Sequence, residues 1–241
     1  MTLNTIAGFL QSLARRTGLE VARSRHTLRR KRVWACATHN ISTVLDVGAN
    51  EGQYARQLRD CGYKGRIISF EPVSAAFESL DAGCQKDSSH ECLRVAVGDC
   101  DGEARIKVAK QSVESSLLRP TDWLQEISPG SRIVSEECVK IVRLDSLRRD
   151  LLSAQDRVLL KIDAQGYEME ILKGASETLE QVVALELELS LSELYEGQVL
   201  LPALWGYINT RGFKPVWIER GFIDPSSGFL LQVDGLFLRR A

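Results

Sequence analysis

Two glycines four residues apart, Gly48 and Gly52, interrupt the run TVLDVGANEGQYARQL over residues 43–58. The residues before them read as a buried strand and those after them as an amphipathic helix. Such a turn offers backbone amides at a helix N-terminus, where a doubly wound sheet holds a nucleotide-like ligand. A dinucleotide site needs G-x-G-x-x-G to close on a pyrophosphate, and a P-loop needs Gly-Lys-Ser or Gly-Lys-Thr. Neither is present, which argues against NAD, FAD and a nucleoside triphosphate. What remains is a ligand with an adenosine end and no phosphate, and S-adenosylmethionine fits. Asp46 then takes its ammonium, and the turn Gly48, Asn50, Gly52 takes its carboxylate through amides. Glu71 accepts both ribose hydroxyls, and Asp99 reaches the adenine amino group.

Each position has a plainer reading. The glycines can simply shape a turn, Glu71 ahead of Pro72 can open a helix, and Asp99 before Cys-Asp-Gly can belong to a turn. Binding is favoured because acids close successive strands at one sheet edge.

The elements that must position these residues alternate regularly. TVLDVG, RIISFEP and CLRVAVGD read as three strands, with helices from about Gly52 to Cys61 and over VSAAFESLDAGC between them. This is a right-handed βαβαβ half. The rhythm then changes: DGEARIKVAK reads as a strand, SVESSLLRPTDWLQEISPGSR as a loop, and CVKIVRLDSL as a strand running into a short helix. An insertion of this length is usually functional or a cover. The core resumes with DRVLLKIDAQG, a helix around residues 168–174, VVALELELS and a helix near residues 200–210. KPVWIER and QVDGLFLRR close it as an antiparallel pair.

Composition is that of an ordinary globular chain: 241 residues, 44% hydrophobic and 26% charged. A formal net charge of −1 hides an asymmetry. Residues 1–40 carry eight Lys and Arg against Glu20 alone, a net of +7, and the remainder carries −8. Ile6, Phe9, Leu10 and Leu13 recur at helical spacing, so the head reads as a helix or two against the body, with SRHTLRRKR as a solvated face. Six scattered cysteines without a C-x-x-C pair read as free thiols in a reducing, cytoplasmic setting. No run approaches the length of a membrane span.

The chain resembles the FkbM-type methyltransferases over roughly residues 41–238. The resemblance rests on the order and spacing of VLDVGANEGQYA, FEPV, VAVGD, SSLL, VRLDSL, LLKIDAQGYEMEILKGA and LELSLSELYEG. It implies a class I methyltransferase fold: a Rossmann-like, doubly wound seven-stranded α/β sheet, spanning residues 41–241 behind a basic helical extension over 1–40. It also implies transfer of the S-adenosylmethionine methyl group to a hydroxyl, usually on a sugar, glycolipid or other small molecule.

KIDAQGYE is the second constellation. Lys161 and Asp163 share a face by the two-residue period, at the carboxyl edge where open α/β sheets bind ligands. An alcohol attacking a sulfonium must lose its proton, so Asp163 is the natural base, and Lys161 can keep it ionised or orient the substrate. The plainer alternative is a buried Lys161–Asp163 ion pair. Glu186 and Glu188 share a face of an apolar strand and must be paired or protonated. Glu188 is the candidate to meet the acceptor and Glu186 the structural one. Ser115, Ser116 and Glu168 are further acceptor-side candidates, Glu168 with an alternative role in supporting Gly166. Carboxylates without histidines suit a divalent cation such as Mg²⁺ as well as none. The expected partner is a small carbohydrate-like acceptor, and self-association stays open. Two other classes stay in view: an RNA methyltransferase docking through the basic head, which Phe9 and Trp34 alone support poorly, and a catalytically idle adenosine-binding module.

Overall fold

Val44, Leu45 and Val47 surround a single charged residue, Asp46, in a strand whose every position is buried. A strand of that kind needs cover on both faces, which a central parallel strand receives. The computed structural model, which describes residues 27–240, places it there. In chain order the elements are α1 (Leu28–Thr38), β1 (Thr43–Val47), α2 (Gln53–Asp60), β2 (Arg66–Phe70), α3 (Ser74–Cys84), β3 (His90–Leu93) and β4 (Ala96–Val97). Then come β5 (Gly102–Ala109), α4 (Asp122–Ile127), β6 (Ile133–Val142), α5 (Leu144–Leu151) and β7 (Val158–Ile162). The chain continues with α6 (Glu168–Lys173), β8 (Val182–Ser190), α7 (Leu201–Thr210), β9 (Phe213–Arg220) and β10 (Gln232–Arg239).

Seven strands form one sheet in the order β3-β2-β1-β7-β8-β10-β9, with β10 antiparallel to both its neighbours. The two-residue period sorts the core. Leu45, Val47, Leu160 and Ile162 join Ile171, Leu172, Leu204 and Ile208 on one face. Val44, Ile67 and Leu159 join Tyr54, Ala55 and Leu58 of α2 and Cys36 of α1 on the other. Each such aliphatic side chain contributes about 1.5–3 kcal/mol on full burial.

CLRVAVGD departs from its expected single strand. Arg94 is exposed and the chain turns there, with the Val95 amide donating to the Leu93 carbonyl at 3.0 Å. Residues before the turn pair with β2, and those after it enter a second, three-stranded sheet ordered β4-β6-β5. The insertion holds α4 within the stretch read as a loop, and β6 begins at Ile133, five residues ahead of the expected start at Cys138. The helix expected from Ile6, Phe9, Leu10 and Leu13 lies outside the described residues. Among those described, no helix is long and apolar enough to cross a membrane, and all six cysteines are unpaired.

Candidate active site

The turn after β1 is bent by Gly48 at φ +72° and Gly52 at φ +83°. A side chain at Gly48 has no room: its Cβ would lie 1.9 Å from the Asp163 carbonyl oxygen, so this loop and the end of β7 are in backbone contact. The amides of Gly48 and Ala49 both donate to the Phe70 carbonyl at 3.1 Å, and that of Asn50 donates to Glu71 Oε2 at 2.8 Å. These amides are therefore used to tie the turn to the end of β2, contrary to their expected role toward a ligand carboxylate. Donors for an anionic group remain at the first turn of α2, whose N–H groups a helix cannot satisfy internally. Glu71 Oε1 accepts from the Val73 amide at 2.8 Å, so both oxygens are anchored while the carboxylate still lines the cavity. A carboxylate offers about four lone-pair sites, which leaves acceptor capacity toward the cavity.

Beneath the turn runs a row of charges set by strand register. Asp46 on β1 is level with Lys161 on β7, which is level with Glu186 on β8. Lys161 Nζ lies 3.0 Å from Asp46 and 3.7 Å from Asp163, and donates to the carbonyls of Gly48 at 2.8 Å and Val47 at 3.2 Å. Burial pushes the Lys161 ammonium down, but Asp46 and Asp163 outweigh it and leave it above its ordinary value. Lys161 is thus chiefly the partner of Asp46 and the clamp on the turn. Asp46 is fully buried in this pair, which corrects its expected contact with a ligand ammonium. Glu186 receives Arg32 Nε at 2.7 Å and the Tyr54 hydroxyl at 3.0 Å. Arg32 came from the stretch read as a solvated face. Arg29 and Arg30 are exposed as expected, but Arg32 is 6% exposed because the acid on β8 demands a counter-charge.

At the carboxyl edge a second row stands above the first. Asp163 follows β7 with its side chain 44% exposed, and Glu188 on β8 is level with Asp234 on β10. Burial, then the nearby Asp163, raises Glu188 well above its ordinary value and Asp234 to about 7. The Gln165 amide nitrogen lies 2.9 Å from Asp163 Oδ1 and 3.1 Å from Glu188 Oε2.

One cavity of about 340 Å³ joins the turn to this acidic edge. It brings together Gly48, Asn50, Glu71, Lys161, Asp163, Glu188 and Ser115 from the expected set. Others fall outside its lining. Asp99 is exposed beyond β4, carried away from the main sheet by the turn at Arg94. Gly52 serves as the left-handed N-cap of α2. The Ser116 hydroxyl donates to the Gln165 carbonyl at 2.7 Å, and Glu168 is buried accepting from the amides of Ala164 and Gly166 at 3.1 Å. Ser115 faces the cavity but accepts from the Ala109 amide at 3.0 Å. Arg32, Tyr54, Gln165, Tyr195 and Asp234 were missed; for Asp234 the signal was an acid inside the apolar run QVDGLFL. Among the described residues, no group of three or more His, Cys, Asp or Glu side chains is gathered for a metal ion.

Residues 46–215, well over half of the chain, match the Methyltransferase FkbM domain. The chain belongs to the FkbM methyltransferase family. This FkbM methyltransferase is 28% identical over 169 residues to 2-O-methyltransferase NoeI of Sinorhizobium fredii (strain NBRC 101917 / NGR234), covering 67% of this chain and 68% of that protein. It is 22% identical over 147 residues to Methyltransferase 1 of Beauveria bassiana (strain ARSEF 2860), covering 55% and 58%. A crystal structure of Methyltransferase FkbM from Methylobacillus flagellatus KT superposes with a TM-score of 0.50 at 13% identity, over 81% of this chain and 44% of that one. An rRNA methylase from Streptococcus thermophilus gives 0.50 at 11%, over 91% and 100%. The FkbM chain thus spans less than half of the first solved structure and under two thirds of the Beauveria protein. The shared architecture is the class I, Rossmann-like methyltransferase fold.

Three buried acids of this FkbM methyltransferase should make its stability fall as pH rises from about 5 to 7.5. Burial raises Glu71, Glu168 and Asp234 to about 7 from ordinary values of 4.5, 4.5 and 3.8. Between those values the folded state holds protons that the unfolded chain has lost, so stability is present below the window and declines as pH rises through it. His90, held below 6.5 by burial, works in the opposite direction as a single group. Melting temperature should therefore drop between about pH 5 and pH 7.5, and Glu168→Gln, which keeps an acceptor for both amides, should flatten the slope. A wild-type profile flat or rising across that window would contradict this account.

Proposed function

We propose that this chain is an S-adenosylmethionine-dependent O-methyltransferase acting on a hydroxyl of a small, carbohydrate-like acceptor. The observation that carries the reading is the half-exposed Asp163 carboxylate in the same cavity as the Gly48 turn, with the Asp163 amide donating to the Val47 carbonyl at 3.2 Å. The name of the Sinorhizobium relative, a 2-O-methyltransferase, supports a hydroxyl as the acceptor. The residues fit the donor: first-turn amides of α2 that a helix cannot satisfy internally, and an anchored carboxylate, Glu71, on the cavity wall.

S-adenosylmethionine would supply, when bound, a methyl carbon that an acceptor oxygen attacks as its bond to the sulfonium sulfur breaks, leaving S-adenosylhomocysteine. Glu71 would hold the ribose hydroxyls, and the free amides of the first turn of α2, set in place by the Gly48 turn that Lys161 clamps, would take the methionine carboxylate. Asp163 accepts the proton of the acceptor hydroxyl, with Glu188 and Asp234 beside it as hydrogen-bond partners for further hydroxyls. Val97, Leu117 and Tyr167 on the cavity wall exclude water. The methyltransferase unit spans residues 41–241 in this reading, with residues 1–40 as the basic extension.

Calorimetry with S-adenosylhomocysteine tests the donor site. Glu71→Ala should lose about 1.5–3 kcal/mol of affinity, the range for hydrogen bonds to a charged group. The melting temperature should fall as well, because the Asn50 and Val73 amides lose their acceptor. Unchanged affinity in the folded variant rejects the assignment. A methyl-transfer screen against methyl glycosides, with RNA oligonucleotides as the other arm, tests the acceptor; transfer to RNA alone sinks the carbohydrate reading.

A further inference from the structure

Gln165 has the left-handed backbone angle φ +52°, which a non-glycine residue adopts at a cost unless its surroundings impose it. Here they do, at several atoms. Its backbone carbonyl accepts from the Ser116 hydroxyl at 2.7 Å. Its side-chain Oε1 lies 2.9 Å from the Tyr195 hydroxyl, and its Nε2 lies 2.9 Å from Asp163 Oδ1 and 3.1 Å from Glu188 Oε2. The half-exposed Asp163 carboxylate accepts, so the NH₂ end faces it, and the second hydrogen of that end reaches the Glu188 oxygen. Tyr195 is 1% exposed and packed with Leu124, Leu194 and Leu231, so the far end of the chain of bonds is anchored in a core.

We propose that Gln165 is the positioning residue of this site, a neutral double donor that ties the Asp163 and Glu188 carboxylates into one unit at the cavity wall. The inference rests on the reading of Asp163 as the base. A neutral donor suits that task. An arginine bridging two carboxylates would stabilise their charge so strongly that neither would take a proton near neutrality, whereas an amide orients them with a weaker hold. Lys161 cannot substitute as the bridge, because its ammonium is engaged by Asp46 and the carbonyls of Val47 and Gly48. The neighbouring groups that face the pair are Lys161, Glu168, Asp234 and Tyr195.

The test is a carboxyl-carbon NMR titration of the full chain, following the macroscopic steps of the Asp163–Glu188 pair, in wild type, Gln165→Leu and Gln165→Glu. Losing donors to the charged form moves a carboxyl titration up, and adding a like charge moves it further. The pair should titrate about one pH unit higher in Gln165→Leu and higher still in Gln165→Glu. If Gln165→Leu does not fold, Gln165→Met, which keeps the length of the side chain but brings neither donors nor charge, carries the comparison. Titration steps unmoved in the folded variants overturn the inference, since a merely structural glutamine would leave them in place. The readout needs no acceptor. If Asp163→Asn kept normal methyl transfer while the titration moved as expected, the base assignment would fail and the hold of Gln165 on the pair would stand.

Discussion

Replacing Asp163 with asparagine is expected to lower methyl transfer by roughly 10²- to 10⁴-fold, the contribution of a positioned general base, with donor affinity nearly constant. Asparagine keeps the shape and a hydrogen-bonding group but cannot take the hydroxyl proton. An ion-pair role for Asp163 would give a different signature, a large loss of stability from an orphaned lysine. The geometry speaks against that cost, because Lys161 sits closer to Asp46, at 3.0 Å, than to Asp163, at 3.7 Å, and keeps the nearer partner. Single-turnover rates with an acceptor from the glycoside screen, thermal melts and S-adenosylhomocysteine calorimetry on the one variant separate the effects. A stable, donor-binding Asp163→Asn enzyme with near-normal transfer removes Asp163 as the base and directs attention to Glu188.

The second large effect falls on stability. Arg32 and Glu186 are both 7% exposed at the side chain, and the guanidinium also stacks 4.1 Å from the centre of the Tyr54 ring. Burial pushes the Arg32 charge down, while Tyr54 and Glu186 more than restore it. Arg32→Met preserves the aliphatic stem but strands Glu186 in the interior with only the Tyr54 hydroxyl. Breaking a buried pair from one side costs about 3–5 kcal/mol, whereas replacing both partners by apolar residues is often neutral. Urea denaturation should show that loss for Arg32→Met and recovery of most of it in Arg32→Met with Glu186→Leu. A single variant within about 1 kcal/mol of wild type would mean that water reaches Glu186 and that α1 is only loosely docked.

The central strands were legible because burial on both faces leaves an almost continuous apolar run, as in TVLDV and VLLKI, and the turn after β1 because Gly-Ala-Asn-Glu-Gly has few other uses. The acids of KIDAQGYE could be placed at the sheet edge from the two-residue period alone. The failures share a cause in long-range register. Nothing near Arg94 in the chain says that residues 96–97 will leave one sheet for another, and with them Asp99. Nothing within RRKR distinguishes Arg32 from the exposed Arg29 and Arg30; that depends on Glu186, 154 positions away. Asp234 gains its meaning only when the antiparallel pairing of β10 sets it opposite Glu188.

The position of β10 between β8 and β9 also constrains how the molecule is made. A chain emerging from the ribosome produces β8, then β9, and only then the strand that lies between them. Until residues 232–239 arrive, the β8 edge stays open and β9 has no partner in the main sheet. Long-range strand pairing of this kind is slow, and an uncovered apolar edge such as VVALELELS invites pairing with another nascent chain. Fragments that stop short of β10 should therefore be captured by chaperones or aggregate, and the acidic wall of the cavity is the last part of the site to be completed.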